Sequence, residues 1–255
     1  MRAPALRILA LCVAGLLPGL AAATTVLELD AREGGQNGRA SVAVQDGKIR
    51  IEIRIEQGAG GWMLYDSAKN TVWLVDTQRR SYVELTREEM RRYGQQLAVA
   101  RKLLDEQMKA MLPEQRAAFE KMMGGATRKD PLLFQSTGQR REVAGFPCTG
   151  GRLVRGGKVQ EEVCLARPAD IGMPQADYAT VRSMYRLMHE MQELGAPGIL
   201  PDFSEIDGVP IEVRNPGGDY QRVREVRHAR LPDGDFTVPA GYTRDSVLDA
   251  LQRYQ

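Results

Sequence analysis

The sequence predicts an α+β fold in which a large antiparallel sheet carries helices that are inserted together on one face. Many short segments show the two-residue alternation of β-strands, and turn residues separate them. Between these segments lie two longer ones whose apolar residues recur at helical spacing. No internal repeat, low-complexity tract or linker composition divides the chain, so we expect one domain over residues 24–255.

Residues 1–23 have the order of features that is typical of a cleaved secretory signal. Two arginines precede an apolar run from Ile8 to Leu20, and three alanines then place small residues before Thr24. The run is too short to span a bilayer comfortably. Cys12 lies inside the run instead of ending it, so we interpret it as part of the signal and not as a lipidation site. We expect a periplasmic location, with secretion as the alternative.

The charge balance argues against a nucleic-acid partner. The chain has 35 basic and 33 acidic residues, and removal of the two arginines of the signal leaves the two signs equal in number. A net charge near zero does not attract a polyanion. No stretch after the signal is long and uncharged enough for a transmembrane helix, so we expect no transmembrane segment in the mature chain.

The first half of the mature chain predicts a series of antiparallel strands. Val26 to Leu29 begins the series, and Ser41 to Gln45 and Lys48 to Ile55 flank Asp46-Gly47, a strong hairpin signal. Isoleucines alternate with charged residues in Lys48 to Ile55, so this strand should have one buried and one solvated face. Further strands are predicted at Trp62 to Tyr65, Thr71 to Val75 and Ser81 to Leu85.

A capping box formed by Thr86 and Glu89 marks the change to helical spacing. Pro113 breaks this first helix, and residues 114–123 predict a second helical piece. The apolar stripe of the first helix comprises Met90, Tyr93, Leu97, Leu104, Met108 and Met111.

The second half combines strands with one more long helix. Strands are predicted at residues 132–136, 209–214 and 220–230, and a short helix at 245–252 closes the chain. The long helix is predicted over Asp177 to Leu194. Its apolar stripe comprises Val181, Met184, Tyr185, Met188 and Met191.

We expect Cys148 and Cys164 to form a disulfide, because two cysteines in an exported chain usually pair. A hairpin loop over residues 155–157 sets Val154 opposite Lys158, and the same register sets the two cysteines opposite each other. A two-residue turn at the two glycines shifts this register by one. The disulfide closes a loop of about 15 residues and should contribute about 3 kcal/mol. The C-x-x-C spacing of a redox pair is absent.

Three segments carry a resemblance to a known family. Leu64 to Leu85 (LYDSAKNTVWLVDTQRRSYVEL) is similar to its paired strands. Gly138 to Cys148 (GQRREVAGFPC), continued by residues 162–166, is similar to its G-x-x-x-x-V-A-G-[FY]-x-C … W-x-A region. The ending FTVPAGY is similar to F-x-x-P-x-G-Y. On these motifs the chain resembles exported half-barrel proteins related to the bacterial outer-membrane lipoprotein carrier and sorting (LolA-like) superfamily.

The resemblance implies a strongly curved antiparallel sheet, or half-barrel, whose concave face is covered by helices. In the lipoprotein carriers this space accepts acyl chains. The motifs are structural, and no ligand-contact motif matches, so no binding residue is transferred. Cys164 and Leu165 stand where many relatives have the tryptophan-containing version.

No enzyme motif is present, so we expect a non-catalytic protein with no catalytic residue, cofactor or metal. The chain lacks G-x-S-x-G, H-E-x-x-H, a P-loop and a helix-opening G-x-G-x-x-G. Its two histidines, His189 and His228, lie outside any nucleophile or metal motif.

The methionine-bearing stripes allow two interpretations. They are core that packs on the sheet, which is the commoner fate of such stripes, or they line a cavity for an apolar ligand, to which methionine adapts well. The candidate ligand-binding residues are Met90, Leu97, Leu104, Met108, Val181, Met184, Tyr185 and Met188.

The predicted function is that of a carrier or sensor that binds an apolar ligand, a lipid acyl chain or a lipoprotein segment, between sheet and helices. Its expected partners are a lipid or lipoprotein and an envelope protein. The alternative is a closed-core interaction or scaffold protein without a small ligand.

Two further alternatives rest on smaller groups of residues. Met184, Met188 and Met191, with His189 next to them, place soft ligands for Cu(I) on one helix. The arginines of Tyr220 to Arg230 are interpreted as a solvated convex face, with contact to anionic lipid headgroups as the alternative.

Overall fold

The computed structural model describes residues 24–55, 61–112, 114, 132–193, 203–204 and 206–247. Six strands come first, followed by a long helix. The strands are β1 (Thr25–Glu33), β2 (Gln36–Gln45), β3 (Lys48–Ile55), β4 (Gly61–Asp66), β5 (Thr71–Asp76) and β6 (Ser81–Leu85), and the helix is α1 (Arg87–Ala110).

The second half adds six strands and a second long helix. These elements are β7 (Leu133–Val143), β8 (Phe146–Arg155), β9 (Lys158–Ala166), α2 (Gln175–Glu193), β10 (Val209–Arg214), β11 (Tyr220–His228) and β12 (Thr243–Asp245). Two short 3-10 helices lie at Pro168–Ile171 and Asp233–Phe236.

The twelve strands that the structure describes join one long, open and curved sheet in the order β12-β6-β5-β4-β3-β2-β1-β11-β10-β9-β8-β7. Every neighbouring pair is antiparallel except β12 and β6, which are parallel. An ion pair shows the curvature at the β7 end, because Arg141 of β7 lies 3.0 Å from Glu212 of β10. In a flat sheet these two strands would lie about 14 Å apart. The fold is therefore an α+β fold dominated by its sheet, as predicted at this level.

The predicted strand series and the start of the first helix are confirmed. The Asp46-Gly47 turn joins β2 and β3, and the hydroxyl of Thr86 accepts a hydrogen bond from the Glu89 amide at 3.1 Å. β7 is longer than predicted and continues to Val143 through an irregularity at residues 136–140.

Several predictions lie outside the described residues. They include the signal at 1–23 and most of the helical piece at 114–123. The predicted helix at 245–252 does not begin at Asp245, because this residue pairs with β6 as the end of β12.

The hairpin between β8 and β9 has the two-residue turn, so the register based on a three-residue loop is wrong. Gly156 and Gly157 have φ values of 54° and 73°, which is the conformation that a two-residue hairpin turn requires. Arg155 pairs with Lys158 across this turn, and a further irregularity follows between Leu153 and Val154.

The disulfide is confirmed, although the two cysteines do not lie directly opposite each other on the strands as predicted. Gly150, and not Cys148, lies directly opposite Cys164. The two cysteines are diagonal neighbours whose Cα atoms lie 5.5 Å apart, a separation that a disulfide spans.

The sheet is covered on both faces near β4 and β5. In β4, Met63 and Tyr65 join the main core, the cluster of buried residues that also includes Ile49, Val72 and Met90. The alternate residues Trp62 and Leu64 join a second core that includes Phe236. This explains why β5 lacks a polar alternation. The main core also contains much of α2, but among the α1 side chains that the structure describes only Met90 is fully buried in it.

Candidate functional site

The predicted ligand residues of α2 are brought together in the main core. Met184 and Met188 are only 3% and 4% exposed, and Val181 is buried beside them. They share the core with sheet residues that include Ile49 and Tyr65. The α2 stripe therefore packs against the sheet along its length.

Polar contacts hold α2 in this position. The Thr25 hydroxyl donates to the Asp177 carboxylate at 2.7 Å, and the Tyr65 hydroxyl lies 2.9 Å from that of Ser183. Burial raises the pKa of the Asp177 carboxyl and of the Tyr65 hydroxyl. Because these contacts tie α2 to β1 and β4, the helix is fixed to the sheet by hydrogen bonds as well as by packing.

Tyr185 packs against both the main core and a third cluster of buried residues, formed by Leu153, Val163, Leu165, Phe203 and Ile206. Its ring centroid is 5.4 Å from that of Phe203, and the residue is partly buried. Burial raises the pKa of its hydroxyl, so Tyr185 remains protonated at physiological pH.

The predicted residues of α1 differ from one another in burial. Met90 is 1% exposed and belongs to the main core, but Leu104 and Met108 are only half-buried. The side chain of Leu97 lies outside the described residues. On the opposite side of the helix, Val99 and Leu103 are 62% and 57% exposed. The stripe of α1 thus begins in the core and becomes accessible along the helix.

The methionines of the copper alternative are buried in the main core. Met184, Met188 and Met191 all lie in it, and His189 is half-buried. Within the described residues, no three or more His, Cys, Asp or Glu side chains form a group that could hold a metal ion.

A charged cavity of about 350 Å³ lies at the curled end of the sheet, and the sequence did not reveal it. We call it the ionic pocket. Three acidic and three basic residues line it, namely Asp30, Arg141, Glu142, Glu212, Arg222 and Arg224. They come from β1, β7, β10 and β11, so only the pairing and curvature of these strands bring them together.

The arginines of the segment Tyr220 to Arg230 divide into two groups. Arg227 pairs with Glu28 at 2.7 Å, and Arg230 pairs with Asp46 at 3.3 Å, as expected of a solvated face. Arg222 and Arg224 are also exposed, as a solvated face requires, and they line the ionic pocket.

Among the helices that the structure describes, none has the length and apolar character needed to cross a membrane.

Comparison with known proteins gives no close relative. No family model matches the chain, and no curated protein is significantly similar to it. An uncharacterised conserved protein from Thermus thermophilus has a TM-score of 0.45 at 8% identity, over 88% of this chain and 90% of its own.

Two other solved structures are similar over part of their own length. A PNGF-II structure has a TM-score of 0.46 at 10% identity, over 91% of this chain and 33% of its own. A chain of the Pseudomonas aeruginosa MucA/MucB complex has a TM-score of 0.34 at 11% identity, over 86% of this chain and 56% of its own. The chain therefore spans a third of the PNGF-II chain and little more than half of the MucA/MucB chain. Likenesses with TM-scores below 0.5 carry no argument about ligand, partner or activity.

Proposed function

We propose that the chain is a non-catalytic, exported carrier or sensor that binds a lipid acyl chain or the apolar segment of a lipoprotein against the second half of α1. One observation carries the proposal. The apolar stripe of α1 starts in the main core at Met90 and is still apolar, but only half-buried, at Leu104 and Met108.

The two helices differ in what binding a ligand would require. Making room at α2 would displace Met184 or Met188 from a packed core, and losing such packing costs about 2–5 kcal/mol. At α1, a ligand would cover apolar surface that is accessible already, which stabilises by about 25 cal/mol per Å². The flexible thioether of Met108 also adapts to chains of different shape. The ligand therefore lies along α1, with the packed α2 helix as part of the fixed framework.

Export is part of the proposal because the chain contains the Cys148–Cys164 disulfide. Disulfides persist in oxidising compartments such as the periplasm. The signal-like order of residues 1–23 and the resemblance to half-barrel proteins support the same location. We include the lack of catalysis because the sequence carries no recognised catalytic motif.

The test is native mass spectrometry of the protein purified from its own cell envelope, followed by lipid extraction. The test variant changes Leu104 and Met108 to Ser. The matched control changes Val99 and Leu103 to Ser, because these residues lie on the opposite side of the same helix. We expect lipid on the wild type and the control, and its loss from the test variant while circular dichroism stays unchanged.

Two outcomes would contradict the proposal. One is the absence of lipid from the wild type. The other is a loss of several kcal/mol of unfolding free energy in the Leu104 and Met108 variant with no change in bound lipid. The second outcome would mean that other residues of the protein, and not a ligand, cover the apolar stripe of α1.

A closed-core interaction protein is the second candidate, and the exposed edge strand β7 favours it. Ten of the eleven residues of β7 are exposed, including Leu133 and Phe134, and β7 ends the sheet. An edge strand can accept an extended segment of a partner by hydrogen bonding to it. If an envelope protein binds in this way, amide hydrogen exchange of residues 133–136 should slow when the partner is added.

A further inference from the structure

We propose that the ionic pocket binds a small zwitterion, with its acidic group on the guanidinium of Arg222 and its ammonium group on the carboxylate of Asp30. This inference is independent of the proposed binding of an apolar ligand along α1. It rests on the geometry of the pocket, on the ion pairs that are already formed in it and on the charged side chains that these pairs leave unneutralised.

Glu212 is the charge that the protein itself neutralises. Its side chain is buried, and its two carboxylate oxygens lie 3.0 Å from Arg141 and 3.3 Å from Arg214. A buried carboxylate needs such partners, because an unpaired one is strongly destabilising. Arg141 and Glu212 therefore join β7 to β10 and build the wall of the pocket.

Asp30 and Arg222 are placed side by side by the strand register. In the strand register, Arg222 lies directly opposite Asp30 of β1 on one side and opposite Glu212 of β10 on the other. Residues that are directly opposite on antiparallel strands point to the same face. Asp30, Arg222 and Glu212 thus form one row across three strands, and all three line the cavity.

The side chains of Asp30 and Arg222 make no ion pair or hydrogen bond with each other or with any other residue in the described part of the chain. They are thus one acidic and one basic group beside Glu212, the third member of the row, whose charge is already neutralised by Arg141 and Arg214. Arg224 and Glu142 add one further charge of each sign to the lining.

The balance of charges selects the class of ligand. A simple anion near Arg222 would be repelled by Asp30 and Glu142, and a simple cation near Asp30 would be repelled by Arg222 and Arg224. A zwitterion satisfies both sides at once through charge-assisted hydrogen bonds. The volume of about 350 Å³ is at the small end of the range for ligand pockets. A free amino acid and a phosphoethanolamine group share this chemistry.

Calorimetric titration of the full mature protein with four probes tests the proposal. The zwitterions are glycine and phosphoethanolamine, and the single-charge probes are ethanolamine and inorganic phosphate. We expect at least one zwitterion to bind at least tenfold more tightly than both single-charge probes. Binding of glycine alone would identify an amino acid as the source, and binding of phosphoethanolamine alone would identify a headgroup.

Variants of Arg222 provide the second part of the test. R222Q should weaken zwitterion binding by about 10- to 100-fold, because hydrogen bonds to charged groups contribute about 1.5–3 kcal/mol. R222K keeps the charge without the planar fork and should lie between wild type and R222Q. The matched control is R155Q, because Arg155 is an exposed arginine outside the pocket, and this variant should bind as the wild type does.

The D30N variant separates a zwitterion site from an anion site. It should weaken zwitterion binding and strengthen phosphate binding, because it removes the group that holds the ammonium and repels the anion. The proposal is overturned if no probe binds, or if phosphate binds the wild type as tightly as the zwitterions do. It is also overturned if folded R222Q and R222K bind as the wild type does.

Discussion

The helices α1 and α2 have similar apolar stripes in the sequence but different surroundings in the structure. Both stripes repeat at helical spacing and both contain methionines. In α2 the stripe residues Val181, Met184, Met188 and Met191 are buried, whereas among the described side chains of α1 burial is complete only at Met90. The difference teaches that helical periodicity identifies the apolar face of a helix and not what covers that face.

The attachment of each helix explains the difference. α2 packs over β2 and β3 and is bound to the sheet through Asp177 and Ser183. α1 is held mainly at its start, where Thr86 caps it, Met90 enters the core and Arg87 pairs with Glu190 of α2 at 2.6 Å. The second half of α1 is therefore the part of the two helices that has apolar surface available for a ligand.

Truncation of methionines should show the largest difference between the helices. Met188→Ala in α2 should lower the unfolding free energy by about 2–5 kcal/mol, because it leaves a cavity in the core. Met108→Ala in α1 should lower it by less than about 1 kcal/mol, since this side chain is only half-buried. Urea denaturation measures both, and equal losses would show that the two helices are equally packed.

Removal of the α1 cap should have a smaller and local effect. Thr86→Ala removes the hydrogen bond to the Glu89 amide and should destabilise by about 1 kcal/mol. Amide exchange should then become faster in α1 and remain unchanged in α2. Faster exchange in both helices would mean that they unfold as one unit.

The ion pair between the helices should contribute still less. Arg87 and Glu190 are both exposed, and such pairs contribute about 0.2–1 kcal/mol. A double-mutant cycle with Arg87→Ala and Glu190→Ala should give a coupling energy in this range that decreases at high salt. A coupling well above it would show that α1 is tied to α2 more firmly than its burial indicates.

Replacement of the buried carboxyl of α2 should change only the pH dependence of stability. Burial raises the pKa of Asp177 in the folded protein, so the fold favours the protonated form. This contribution is fully present below the ordinary carboxyl range and is lost as pH rises through the raised pKa. Asp177→Asn should therefore remove part of the decrease in stability with rising pH. Parallel curves of melting temperature against pH for the two proteins would contradict this assignment.

The local features of the fold could be predicted from sequence because nearby residues determine them. The Asp46-Gly47 turn and the Thr86 cap both act within a few positions. The alternation of Ile51, Ile53 and Ile55 with charged residues predicted strand β3 correctly, although Ile53 is 38% exposed and not buried. The disulfide could be predicted from composition, but the register of its hairpin could not. That register depends on the conformation of two glycines and on an irregularity further along the strands.

The ionic pocket could not be predicted because its residues are distant in sequence. Asp30 and Arg222 become neighbours only through the pairing of β1 with β11, which closes 192 positions of separation. Arg141 reaches Glu212 only because the sheet curls. Glu212 within the apolar segment Val209–Arg214 was the one local signal, since a lone carboxylate in a buried strand needs a partner.

Hydrogen exchange with and without ligand tests most directly whether the second half of α1, and not α2, meets the apolar ligand. The probe is a lysophospholipid with one saturated acyl chain, added to the mature protein. We expect slower amide exchange in residues 97–110 of α1 and no change in α2, whose stripe is buried already. Protection confined to α2, or no protection in either helix at saturating lipid, would contradict the assignment of the ligand to α1.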